Sequence, residues 1–161
     1  MASAFICCDD DLLTRHGFGE MTSVLTALLS AQHAQARDTE YHLKIDAVMK
    51  DPDYPTAVGN DVAFFFATQN SPVIDRSLGE FVTNRKTNSF GKPDEDACRW
   101  AMLSALKELR ERAISLGGDA VVNIVSYYKK NVAASETDYE CHAGGFVAGV
   151  ALKGTVIKLK H

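Results

Sequence analysis

Hydrophobic and polar positions follow two different periods along this chain. Between Pro93 and Leu116, Cys98, Met102, Ala105, Leu106, Leu109, Ala113 and Leu116 recur at spacings of three and four. That spacing places them on one stripe of a helix, facing a core. Arg99, Lys107, Glu108, Arg110, Glu111 and Arg112 fall mostly on the other side. Pro93 suits the first helical position, where its missing N–H costs nothing. Asp94, Glu95 and Asp96 complement the positive end of the helix dipole. Gly117-Gly118 supplies a left-handed stop. Trp100 and Leu103 stand off the stripe: they either widen the core contact or form a second apolar face for a partner subunit.

Elsewhere the period is two, or the run is continuously apolar. His42 to Val48 alternates, as a half-buried strand does. Residues 61–67, with Phe64-Phe65-Phe66, predict a strand buried on both faces. Residues 74–83 carry a third strand around Leu78-Gly79-Glu80-Phe81-Val82, and residues 84–92 read as a polar, basic loop. Ala120 to Tyr128 is rich in β-branched and aromatic residues and predicts a central strand fed by the helix. Thr137, Tyr139 and Cys141 alternate toward a short strand. Gly144-Gly145 bends the chain, and residues 147–159 close it as a long strand. Gly149 and Gly154 mark a bulge or a close backbone approach in it.

Residues 1–36 do not fit this pattern. Residues 1–20 have no clear period and hold Cys7 and Cys8 beside three aspartates. Residues 21–36 combine a short apolar run with Ala34-Gln35-Ala36, a small-x-small site of the kind signal peptidase cuts. An ordinary amphipathic helix is the other reading of this segment. The expected organisation is a tail and signal-like segment over 1–36 and one domain over 37–161.

Composition narrows the function classes. The 161 residues are 46% hydrophobic and 24% charged, ordinary values for a globular chain. A net charge of −4 gives no general attraction to nucleic acid. No run of about 20 apolar residues is present to span a bilayer. Neither glycine pair is followed by Lys-Ser/Thr, so no phosphate-binding loop exists and ATP hydrolysis has no support. No cofactor is indicated.

The remaining chemistry rests on few residues. Cys98, in the first helical turn, and Cys141, on a strand, are compatible with a disulfide, with two buried thiols, or with an activated thiolate at a helix N-terminus. A bridge would close a loop of over 40 residues, stabilising the domain by roughly 3–4 kcal/mol. Cys141-His142 is half of a metal site at most, since His33, His42 and His161 stand in no recognisable spacing. A Cys98 nucleophile with His142 as base lacks a residue to orient the histidine. Arg85, Lys86 and Lys92, with Phe90 between them, form a small basic patch. It is either a solvated loop or a docking surface for an anionic partner.

Leu78-Gly79-Glu80-Phe81-Val82, the helix, Leu116-Gly117-Gly118-Asp119-Ala120-Val121-Val122-Asn123-Ile124 and the closing strand from Gly149 to Val156 resemble the YbjQ-like heavy-metal-binding domain. They also resemble the related domain of the Rcs envelope-stress lipoprotein. Residues 85–92, Ala97-Cys98-Arg99-Trp100 and Tyr139-Glu140-Cys141-His142-Ala143-Gly144 are similar to small exported bacterial proteins often labelled "excinuclease ATPase subunit". The resemblance covers roughly residues 37–159. It implies an α+β domain with one long helix packed on a mainly antiparallel sheet. It also implies export to the periplasm rather than a cytoplasmic location, and it favours the Cys98–Cys141 bridge. It supplies no mechanism. The expected role is a non-enzymatic envelope domain that binds a protein partner, or a second copy of itself, or senses a condition. Arg85, Lys86, Phe90, Lys92 and Trp100 are its candidate surface. The alternative is a metal- or redox-responsive protein using Cys98, Cys141 and His142.

Overall fold

A computed structural model describes residues 37–160; residues 1–36 and 161 lie outside it, and with them Cys7, Cys8 and the expected signal segment. The elements run β1 (Thr39–Lys44), α1 (Ile45–Met49), α2 (Tyr54–Ala57), β2 (Ala63–Phe66), β3 (Ile74–Asn88), α3 (Asp94–Ser115), β4 (Ala120–Ser126), a 3₁₀ turn (Tyr128–Lys130), β5 (Asp138–Ala143) and β6 (Val147–Leu159). They form one six-stranded sheet in the order β1-β5-β6-β4-β2, with β3 also paired to β6. Every pairing is antiparallel except β2 with β4. The expected α+β architecture, a long helix on a mainly antiparallel sheet, is therefore present.

The long closing strand organises the sheet. Along one edge β6 pairs with β3 from Ile74↔Leu159 to Asn88↔Val147. Its other edge is shared: β5 takes the start, at Ala143↔Ala148, and β4 the end, at Ala120↔Ile157. Gly154 lies opposite β4. A Cβ there would come within 2.8 Å of Val121 Cγ1 and 3.1 Å of Ile124 Cγ1, so any larger residue would push these side chains out of the core.

Helix α3 covers one face of the sheet. Cys98, Met102, Ala105, Leu106, Leu109 and Ala113 are all buried, as the stripe predicts, whereas Leu116 at its end is exposed. They pack with Val121, Ile124, Tyr139, Val150, Leu152 and Val156 in one core. Leu103 is buried and widens that contact; Trp100 stays 39% exposed. At the helix end Gly117 has φ +69°. Gly118 N–H donates to the Ala113 carbonyl at 2.8 Å and Gly117 N–H to the Ile114 carbonyl at 3.0 Å, which satisfies two carbonyls the last turn leaves open. Pro93 stands just outside the helix, as its N-cap, rather than at the first helical position.

Four strand expectations also need correction. The alternation from His42 holds only to Lys44; there the chain turns helical, because Ile45 and Val48, three apart, are both buried. Strand β2 is a sheet edge, with Ala63 exposed and Phe65 half-buried, and is not buried on both faces. Residues 84–88 belong to β3, drawn into the ladder by β6, so only residues 89–92 form a turn. Strand β4 ends at Ser126, and Tyr128 lies in the 3₁₀ turn. Asn123, at φ +53°, bulges within β4. The extra residue resets the alternation, so Val121 and Ile124 both reach the helix side.

Cys98 and Cys141 are joined by a disulfide, with Cα atoms 5.8 Å apart and a sequence separation of 43. It ties the first turn of α3 to the inner face of β5, and both residues are fully buried. Replacing both cysteines by alanine is expected to lower the unfolding free energy by about 4 kcal/mol, mainly by freeing the unfolded chain. Urea titrations of the two proteins under oxidising conditions measure this; a loss below about 1 kcal/mol contradicts it.

Candidate functional site

The tip of the β5–β6 hairpin meets the turn that leads into α3. Ser89 N–H donates to the Phe146 carbonyl at 3.0 Å, and Ser89 Oγ donates to the Gly144 carbonyl at 3.2 Å. Gly144 N–H closes the hairpin on the Val147 carbonyl at 2.8 Å. A Cβ at Gly144 would lie 2.9 Å from the Arg37 carbonyl oxygen, so this turn is crowded by backbone and requires glycine. These bonds bring Phe90 and Phe146 together. Their rings stack at 5.5 Å between centroids and 6° between planes, yet the residues are 66% and 70% exposed. Apolar surface of this kind on adjacent turns marks an interaction site more often than a stable solvated face.

Beside the stacked rings runs a groove of about 600 Å³ lined by Arg37, Lys86, Tyr128, Lys129, His142 and Phe146, among others. Three of its walls are cationic, but two of the cations are engaged. Arg37 holds Asp94 at 2.7 Å, and Lys129 holds Asp38 at 3.1 Å. Lys86 has no ion-pair partner among the described residues. Lys129 and Lys130 both have positive φ, 49° and 69°. Strain of this order in two successive non-glycine residues is concentrated at functional sites.

The candidate residues thus divide. Lys86 and Phe90 share the groove and its tip. Arg85, one residue before Lys86 and facing the other way, pairs with Glu108 of α3 at 2.8 Å, where Glu108 also accepts from Thr83. It therefore fastens strand to helix. Lys92 lies exposed in the turn. Trp100 sits on α3 with the Arg99 guanidinium 4.7 Å from its ring centre, and no hydrogen bond, ion pair or ring contact joins it to Phe90, Lys86 or Lys92. Phe146, Tyr128 and Lys129 complete the groove and were not singled out from the sequence. Phe146 follows Gly144-Gly145, and an aromatic at a hairpin tip is the signal that points to it.

His142 is the other candidate that acquires partners. Its ring stacks on Tyr128 at 3.4 Å between centroids, leaving the side chain 10% exposed. Nδ1 lies 3.0 Å from Asp38 Oδ1 and Nε2 lies 2.6 Å from Glu140 Oε1. Two carboxylates therefore orient the histidine. The sulfur of Cys141 is committed to Cys98, so neither cysteine offers a nucleophile or a thiolate ligand beside it. Lys129, chiefly, and then the Tyr128 hydroxyl and His142 hold the Asp38 carboxyl below its ordinary range.

A comparison of the chain with protein-family models, curated proteins and solved structures finds no match.

Because its folded value is depressed, the Asp38 carboxylate contributes stability that is complete above its ordinary pKa of about 3.9 and is lost as pH falls through the folded value. Asp38→Asn is expected to lower the urea midpoint relative to wild type above about pH 5. The two curves should converge below about pH 4. A difference that persists or grows below that point contradicts the assignment.

Proposed function

We propose that this chain is a non-enzymatic, disulfide-braced binding domain of the cell envelope, with a YbjQ-like architecture, that docks a protein partner at the Phe90–Phe146 tip. The observation that carries this reading is the pair of stacked, exposed phenylalanines beside Lys86, which has no ion-pair partner among the described residues. The partner this surface fits presents an apolar side chain flanked by carboxylates: the rings supply desolvation area, and Lys86 and Lys92 supply charge complementarity on a chain that is otherwise net negative. Arg85 and Trp100 lie outside the surface.

A buried disulfide suits an oxidising compartment. Among the described residues no helix is long and apolar enough to cross a membrane. Both are consistent with the envelope reading. A metal- or redox-responsive role for Cys98 and Cys141 would require their bridge to open first.

A photoreactive residue placed at Val147 in the native cell should yield a discrete cross-linked adduct. Phe146→Ser and Lys86→Glu should each reduce that adduct at least five-fold while shifting the thermal midpoint by no more than about 2 °C, since both side chains lie at the surface. Trp100→Ala should leave it intact. Equal adduct in all four proteins would remove this surface from consideration.

A further inference from the structure

The face of the sheet away from α3 carries a tripeptide pattern twice. Glu40-Tyr41-His42 lies on β1 and Glu140-Cys141-His142 on β5. A period of two puts the glutamate and histidine of each strand on one face. The antiparallel register sets Glu40 opposite His142 and His42 opposite Glu140. Each histidine bonds the glutamate of its own strand, and the register brings the β1 glutamate beside the β5 pair.

We propose that Glu40, Glu140 and His142 bind a divalent first-row transition cation such as zinc, with Asp38 as the positioning residue for the imidazole. One ligand atom from each of the three lies within 4.8 Å of the others. Asp38 is an ionised acceptor, so it takes the proton of His142 Nδ1 at 3.0 Å. A carboxylate on the far nitrogen is the usual support of a metal-bound histidine, fixing its tautomer and direction. The free nitrogen, Nε2, then faces Glu140 Oε1 at 2.6 Å. Two lone pairs cannot meet at that distance; a positive centre must stand between them, either a proton or a metal.

Charge favours the same conclusion. Asp38, Glu40 and Glu140 are three carboxylates, and among the described residues Lys129 is the one ammonium paired into them. One dication would offset the two negative charges left over, and His42 Nε2 lies 2.8 Å from Glu40 Oε1 beside the site. Around a tetrahedral ion with bonds near 2.0–2.2 Å, ligand atoms stand roughly 3.3–3.5 Å apart. Glu140 needs to swing outward by less than about 1 Å to admit it, which its three side-chain torsions allow. Glu40 is half-exposed, leaving the fourth position to water. Imidazole with carboxylate donors suits zinc, and its imidazole discriminates against calcium and magnesium, which prefer all-oxygen sites.

The test is a zinc titration by calorimetry of the full chain, oxidised, stripped of metal and alkylated to block Cys7 and Cys8. One equivalent should bind with micromolar or tighter affinity. Glu140→Gln and His142→Gln should each weaken it at least ten-fold, and Asp38→Asn by roughly ten- to hundred-fold. Glu40→Gln, at an exposed side chain, serves as a variant that keeps the fold, and melts without metal check the others. Zinc should raise the thermal midpoint of wild type more than that of any variant. No saturable binding up to millimolar zinc, affinity unchanged in Glu40→Gln and Glu140→Gln, or equal affinity for calcium would each overturn the site, leaving ordinary ion pairs.

Discussion

Strand β6 is the element on which the rest of the sheet depends. It alone is hydrogen-bonded to β3, β4 and β5, and through them it carries β2 and β1. Its outer edge is saturated along its length by β3, while its inner edge serves two strands in succession. Helix α3 packs on one face, and the disulfide holds its start against β5, the strand that shares least of β6. The covalent link thus reinforces the place where the hydrogen-bonded ladder is shortest, at two paired positions.

What the pattern of residues reveals depends on whether the governing contact is local. The helix, its Gly117-Gly118 stop and β6 follow from spacings within about 20 residues, and they form as expected. The β1 alternation fails at Ile45 because the next four residues bury Ile45 and Val48 on a helical turn, which a period of two cannot anticipate. Strand β3 extends to Asn88 despite its polar sequence, since an edge strand needs a backbone partner more than an apolar face. The bulge at Asn123 leaves no local trace beyond an asparagine tolerant of positive φ.

The candidate site was legible only in part for the same reason. Lys86 and Phe90 are adjacent in sequence to the basic residues that drew attention to them. Their companions Phe146, Tyr128 and Lys129 arrive from elements 40 to 60 positions later, and only the β6 register brings them in. The two Glu-x-His tripeptides are visible to the eye, yet they are 100 residues apart. Without the β1–β5 pairing, neither tripeptide has a partner. His142 read in isolation had nothing to orient it; folded, it has a carboxylate at each ring nitrogen.

The bridge between Cys98 and Cys141 also fixes how the chain responds to tension. A pull applied at the two ends passes from Cys98 straight to Cys141 through the sulfurs. Most of α3, all of β4 and the 3₁₀ turn then lie in a loop that bears no load. With 43 residues of separation removed from the load path, the stretched chain is shorter by about 140 Å than its reduced counterpart. Oxidised, the domain is a short tether with a sheltered helix and inner strand; reduced, it is a long one with every element in series.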